Sequence, residues 1–174
     1  PTREARLEIT GLDTRMAAPH ASASCASVTG AVLKSLSVGK DDKVIYTMGS
    51  GTAWSAAQQQ TICIFMEMQW INSAVIHTGE FFHGPFEITD PDTAFLLLKS
   101  TGKTAALDER AIRFLSRYNR HLTVIDGEKY GLKELGDVSG YYDYDFYNCM
   151  LAVYNKLLAD MRNHPLSKRK YMWK

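Results

Sequence analysis

The spacing of hydrophobic and polar positions changes several times along the chain, and each change predicts an element. Lys43-Val44-Ile45-Tyr46-Thr47-Met48 is a short β-rich run ended by Gly49-Ser50-Gly51. Residues 53–77 follow at helical spacing, with Glu67 as the one charged side chain among them if His77 is counted neutral, and predict a single long helix. The stretch from His77 to Glu87 reads as a loop that re-enters helix, and Thr89-Asp90-Pro91-Asp92 as a turn. Ala94-Phe95-Leu96-Leu97-Leu98 is the uninterrupted apolar run of a strand buried on both faces. Leu107, Ala111, Phe114, Leu115 and Tyr118 form one apolar helix face, with Asp108, Glu109, Arg110, Arg113 and Arg117 on the wet side. Residues 121–126 read as a third strand and residues 135–141 as a short fourth. Phe146, Met150, Val153, Leu157 and Met161 mark a last helix, which His164-Pro165 stops.

Strands alternating with helices predict an α/β fold, a three-layer sandwich with a mainly parallel sheet flanked by helices in a flavodoxin- or Rossmann-type topology. The domain is expected over residues 31–174, with a basic tail at 164–174. Residues 1–30 carry no clear period and read as a linker or the remnant of a preceding segment, and residues 31–36 as a helix end closed by Gly39. In open α/β sheets ligands bind beyond the carboxyl ends of the strands. Gly49, Ser50 and Gly51, between the first strand and its helix, are therefore candidate ligand-binding residues; a plain tight turn is the alternative.

Composition narrows the function classes. With 45% hydrophobic and 22% charged residues in 174, the chain has the make-up of one soluble domain. A net charge of +1 gives no case for nucleic acid as a partner or for an acidic substrate surface. Lys168-Arg169-Lys170 and Lys174, with Tyr171 and Trp173 interleaved, read as a terminal strap across the protein rather than a nucleic-acid patch. Cys25, Cys63 and Cys149 form no CxxC pair and suit a reducing compartment. The most apolar stretch, residues 61–76, is broken by Glu67, Gln69 and Asn72, so we expect a cytoplasmic protein without a membrane span. The chain opens at Pro1 without a Met, which suggests a part of something longer.

Glu67 carries the chemistry. On a helix its neighbours would be Cys63, Ile64, Trp70, Ile71 and Ala74, an apolar stripe in which a carboxylate is desolvated and tuned toward general-base work at neutral pH. A carboxylate merely satisfied by a neighbouring Arg or by backbone donors is the alternative. Sixteen residues later stands His83, the other side chain suited to proton transfer. His77, Glu80 and His83 at spacings of three would spread around a helix, with Gly79 interrupting, and we expect no metal there.

These residues also carry a resemblance. Glu67-Met68-Gln69-Trp70-Ile71, the string from His77 through Thr78-Gly79-Glu80-Phe81-Phe82-His83-Gly84-Pro85-Phe86-Glu87-Ile88, and the tail His164-Pro165-Leu166-Ser167-Lys168-Arg169-Lys170-Tyr171-Met172-Trp173-Lys174 resemble the second half of the fructosamine 6-phosphate deglycases. Those are sugar isomerase (SIS) domain proteins that act on fructoselysine, fructose-asparagine and related Amadori compounds. The resemblance runs from about Lys40 to Lys174. It implies that Glu67 handles carbon-bound protons and that His83 works on the ring oxygen from the neighbouring subunit of a homodimer. It further implies a phosphosugar–amino acid conjugate as substrate, glucose 6-phosphate and a free amino acid as products, and no metal or organic cofactor. Glu80 and Glu87 would orient His83 or cap its helix, and Lys168 and Arg169 would pair with phosphate or with the amino-acid carboxylate. One departure stands out: the Ser/Thr-rich phosphate loop of the family's first half is not obvious here, so this chain is expected to lack its phosphate site. An aldose–ketose or aminosugar phosphate isomerase, a phosphosugar-binding sensor and a structural dimerisation half are the rival readings.

Overall fold

The computed structural model describes residues 38–174, so the expectations for residues 1–30 and 31–36 fall outside the described residues. Strand β1 (Val44–Gly49) leads into helix α1 (Ala53–Gln59), which continues directly as a π-helix over Gln60–Met68. Strand β2 (Asn72–His77) follows, then two 3₁₀ turns, Phe81–His83 and Pro85–Ile88, and strand β3 (Ala94–Lys99). Helix α2 (Ala105–Tyr118), strand β4 (Leu122–Asp126), further 3₁₀ turns at Gly127–Tyr130 and Leu132–Tyr141, and helix α3 (Asp143–Met161) complete the regular elements, and an irregular tail runs on to Lys174. The four strands form one parallel sheet in the order β2-β1-β3-β4, with Val44 opposite Asn72, Ile45 opposite Ala94 and Phe95 opposite Leu122. This is the expected α/β class with helices on both faces.

The period-2 geometry of a strand divides the core in two. Leu96 and Leu98 point to a cluster with Ile45, Ala53, Ala56, Phe65, Tyr147, Tyr154 and Leu158, so α1, the π-helix and α3 cover one face. Phe95 and Leu97 point the other way, to Met48, Phe81, Ala111 and Leu115, so α2 and the turn bearing Phe81 cover the other. All six residues of β3 are buried, as a central parallel strand requires. The Asp90 turn closes as expected, its carboxylate accepting from the backbone N–H groups of Asp92 and Thr93.

Three expectations are corrected. The predicted helix over 53–77 stops at Met68, and residues 72–77 are instead the edge strand β2, which makes residues 121–126 the fourth strand and not the third. Residues 135–141 form 3₁₀ turns rather than a strand, with Gly136 at φ +62° breaking the run. Asp108, assigned to the wet face of its helix, is fully buried.

Leu97→Ala empties part of a closed core and is expected to cost about 2–5 kcal/mol of stability. Ile62→Ala, at a side chain 45% exposed, is expected to stay within about 0.5 kcal/mol. Urea unfolding of both variants checks this, and equal losses would contradict the division of the core described above.

Candidate functional site

The helix that carries Glu67 is wound more widely than an α-helix. The Thr61 hydroxyl donates to the Ala57 carbonyl at 2.9 Å, competing for the acceptor that an α-turn would use. The Gln69 N–H reaches back five residues to the Ile64 carbonyl and the Ile71 N–H reaches back to Phe65, both at 2.8 Å. The 3.6-residue period therefore fails here, and of the predicted neighbours of Glu67, Trp70 and Ile71 share a cleft with it. The Glu67 side chain is 31% exposed and lines that cleft. Trp70 then turns the chain into β2 at φ +55°, a left-handed conformation costing a bulky residue roughly 1–2 kcal/mol.

What holds that turn is the end of α3. Buried Gln69 donates from Nε2 to the His164 carbonyl at 2.8 Å, while Arg162 donates to the carbonyls of Gly39, Lys40 and Gln69. The His164 ring meets the Trp70 indole edge-on at 4.5 Å, and burial, followed by the Lys168 and Arg162 cations, lowers its pKa below the usual histidine value. The imidazole is thus held toward its neutral form. Beyond it the tail runs across the protein as the strap the sequence suggested. Arg169 Nε donates to Glu67 Oε1 at 3.1 Å, and its Nη1 donates to the carbonyls of Leu166 and Lys168. Lys168 Nζ stands 5.0 Å from the centre of the Trp70 ring. Between strap and sheet lies a cleft of about 520 Å³ lined by Glu67, Trp70, Asn72, Ser73, Arg169 and Tyr171, among others.

The other predicted residues lie elsewhere. His83 is exposed on a 3₁₀ turn between Phe81 and Phe86, on the α2 face of the sheet, whereas Glu67 belongs to the opposite face. The sheet therefore separates the two within one chain. Glu80 precedes the His83 turn and Glu87 lies in the first turn of the next. Gly49 ends β1, five residue steps above the level of Asn72, or about 16 Å along the strands, and Ser50 and Gly51 follow it. Ser50 is buried, and its hydroxyl donates to Asp108 Oδ2 at 2.9 Å. Gly51 and Thr52 line a separate cleft of about 240 Å³ with Lys103, Thr104 and Tyr141.

Two carboxylates that sequence reasoning missed organise this carboxyl end. Asp108 accepts from Thr78 Oγ1 at 2.6 Å, from Ser50 Oγ and from the Ser100 N–H at 2.7 Å. Burial pushes its pKa above the ordinary carboxylate value against those hydrogen bonds and against His77. Asp143 accepts from Ser100 Oγ at 2.8 Å and from Thr101 Oγ1 at 2.7 Å and its N–H. The hydroxyls of Ser50, Thr78, Ser100 and Thr101 and the N–H groups of Ser100 and Thr101 are thus already held by the chain's own carboxylates. Gly102 and Gly140 pack backbone to backbone there, since a Cβ on Gly140 would lie 2.6 Å from Gly102 Cα. Only a 3.6-period count of polar residues on a helix that covers a sheet end could have flagged Asp108. Among the described residues no cluster of three or more His, Cys, Asp or Glu gathers to hold a metal, and no helix is long and apolar enough to cross a membrane.

No protein-family model matches the chain. It is 47% identical over 134 residues to the fructosamine deglycase of Bacillus subtilis, a match covering 76% of this chain and 41% of that protein. To the fructoselysine 6-phosphate deglycase of Escherichia coli it is 36% identical over 83 residues, 48% of this chain and 24% of the other. It superposes with a TM-score of 0.81 and 52% identity on a Salmonella typhimurium structure provisionally designated a phosphosugar isomerase, covering 87% of this chain and 47% of that one. The chain spans less than half the length of each.

Asp108 gives a pH signature. A carboxyl whose pKa is raised by folding binds more protons in the native than in the unfolded state, so its share of stability falls as pH climbs from the ordinary carboxylate range through the raised folded value. In Asp108→Asn that fall is expected to vanish. Urea midpoints measured from pH 4 toward neutrality check this, and an unchanged pH slope would show that Asp108 is not the group responsible.

Proposed function

Since this chain belongs to the sugar isomerase (SIS) family and is homologous over part of their length to the fructosamine and fructoselysine 6-phosphate deglycases, we propose that the whole protein is such a deglycase and that this chain supplies its acid–base groups. The observation that carries the reading is Glu67, the one carboxylate of a neutral segment, opening into a cleft beneath a cationic strap.

The substrate would be a 1-amino-1-deoxyfructose 6-phosphate joined to an amino acid through its amine. His83 moves a proton at the ring oxygen as the sugar opens. The open-chain ketone acidifies the hydrogens on C1, and Glu67 removes one of them to give an enaminol. Returning a proton to C2 leaves an imine at C1. Water adds to that imine, the C–N bond breaks, and glucose 6-phosphate and the free amino acid leave. Positioned acid–base groups supply roughly 10²–10⁴-fold of rate to such a step.

His83 cannot serve Glu67 of its own chain across the sheet, which favours a homodimer in which each site takes Glu67 from one copy and His83 from the other. Two further features suit that arrangement. His83 is exposed, and the large apolar side chains of Met66 and Trp70, 42% and 39% exposed, line the cleft, ready to be covered.

In the whole protein, Glu67→Gln is expected to bind substrate and lose roughly 10²–10⁴-fold in turnover, and His83→Asn to lose a comparable amount. Mixing the two inactive variants and allowing subunits to exchange should restore about a quarter of the sites, because half of the dimers are mixed and each of these has one intact site. A coupled assay for glucose 6-phosphate reads the recovery. No recovery despite demonstrated exchange would refute the shared site, and accumulation of an isomerised conjugate without free amino acid would move the protein to the isomerase class.

A further inference from the structure

Arg169 occupies an unusual position, since it holds the very carboxylate that must be free to act. Only one of its hydrogen bonds goes to Glu67, from Nε at 3.1 Å. Nη1 is tied to the strap's own backbone at Leu166 and Lys168, so the guanidinium is anchored whether or not Glu67 is bound. That leaves the edge formed by Nε and Nη2, the edge suited to two parallel hydrogen bonds with a carboxylate, half used. The side chain is 15% exposed and faces the cleft of about 520 Å³, so an anion can reach that edge from the cleft.

Building on the deglycase reading, we propose that Arg169 is a positioning and specificity residue that exchanges partners. In the free protein it pairs with Glu67; when substrate enters, the α-carboxylate of the amino acid takes both N–H groups of the open edge and Glu67 is released toward C1. The substrate's own connectivity selects that anion over the phosphate. With the amine at the α-position, the carboxylate carbon is three bonds from C1, where Glu67 works, while the phosphorus is seven bonds away. A residue touching Glu67 is within reach of the first and not the second. The exchange makes the carboxylate both a handle and a trigger, because a substrate lacking it leaves the base paired.

The test compares the 6-phosphorylated fructosyl conjugates of glycine and glycinamide, which differ only in carboxylate against neutral amide. The whole protein is expected to favour the glycine conjugate in kcat/KM by roughly tenfold to a hundredfold, the range of one charge-assisted hydrogen-bonded pair. In Arg169→Gln the ratio between the two conjugates should collapse toward one, chiefly through a raised KM for the glycine conjugate. Arg169→Lys, which keeps the charge but loses the fork, should recover part of the ratio. A ratio that survives in Arg169→Gln while both rates fall together would assign Arg169 a purely structural part and overturn the proposal. Cleavage of neither conjugate by the unaltered protein would overturn the deglycase reading itself, and the proposal with it.

Discussion

The cleft depends on one junction, where the buried Gln69 side chain, the Arg162 guanidinium and the His164 carbonyl tie the end of α3 to the end of the π-helix. It braces Trp70 in its left-handed conformation and gives the strap a fixed starting point. Because Arg162 also holds the carbonyls of Gly39 and Lys40, the same junction closes the amino-terminal end of the sheet. Charged donors onto backbone carbonyls are among the stronger hydrogen bonds, and three of them here share one side chain. The position of Arg169 relative to Glu67 follows from that anchoring.

The sheet acts as a divider as well as a core. Its period-2 burial sends the π-helix to one face and the aromatic turn around His83 to the other, the separation from which the proposed shared site is argued. At its carboxyl end, where open α/β sheets usually take ligands, internal hydrogen bonds to Asp108 and Asp143 tie the loops together beside the cleft at Gly51 and Thr52. Burying a carboxylate is costly unless several donors meet it, and the hydroxyls of Ser50, Thr78, Ser100 and Thr101 are those donors. Lys99 adds to the same order: burial would lower its pKa, but Asp126, with Glu128 and Glu109, outweighs burial and keeps it raised.

Much of this was legible in the residues. β1, β3, β4, α2 and α3 all follow from hydrophobic period, and the Asp90 turn from its composition. Glu67 stood out because it was alone. The helix over 53–77 was overextended because Asn72-Ser73-Ala74-Val75-Ile76 is as compatible with a buried helix as with an edge strand, and the widened turns that begin near Thr61 leave no mark in a 3.6-residue count. Asp108 was misplaced because it was grouped with its charged neighbours, although it lies at helical spacing from buried Ala111 and Leu115; its partners Thr78 and Ser100 are visible only in three dimensions. The 16 Å between the Gly49 turn and the level of Asn72 was likewise invisible, since sequence proximity to a helix start says nothing about which end of a sheet a later residue occupies.

The central claim is that a hydrogen leaves C1 of the substrate before the bond to nitrogen breaks. It is tested most directly with the glycine conjugate carrying two deuterons on C1, cleaved by the whole protein in ordinary water and analysed by NMR and mass spectrometry. The account predicts glucose 6-phosphate that keeps one deuteron on C1. A sugar phosphate that keeps both deuterons on C1 would contradict proton removal by Glu67 and would place bond breaking ahead of any isomerisation.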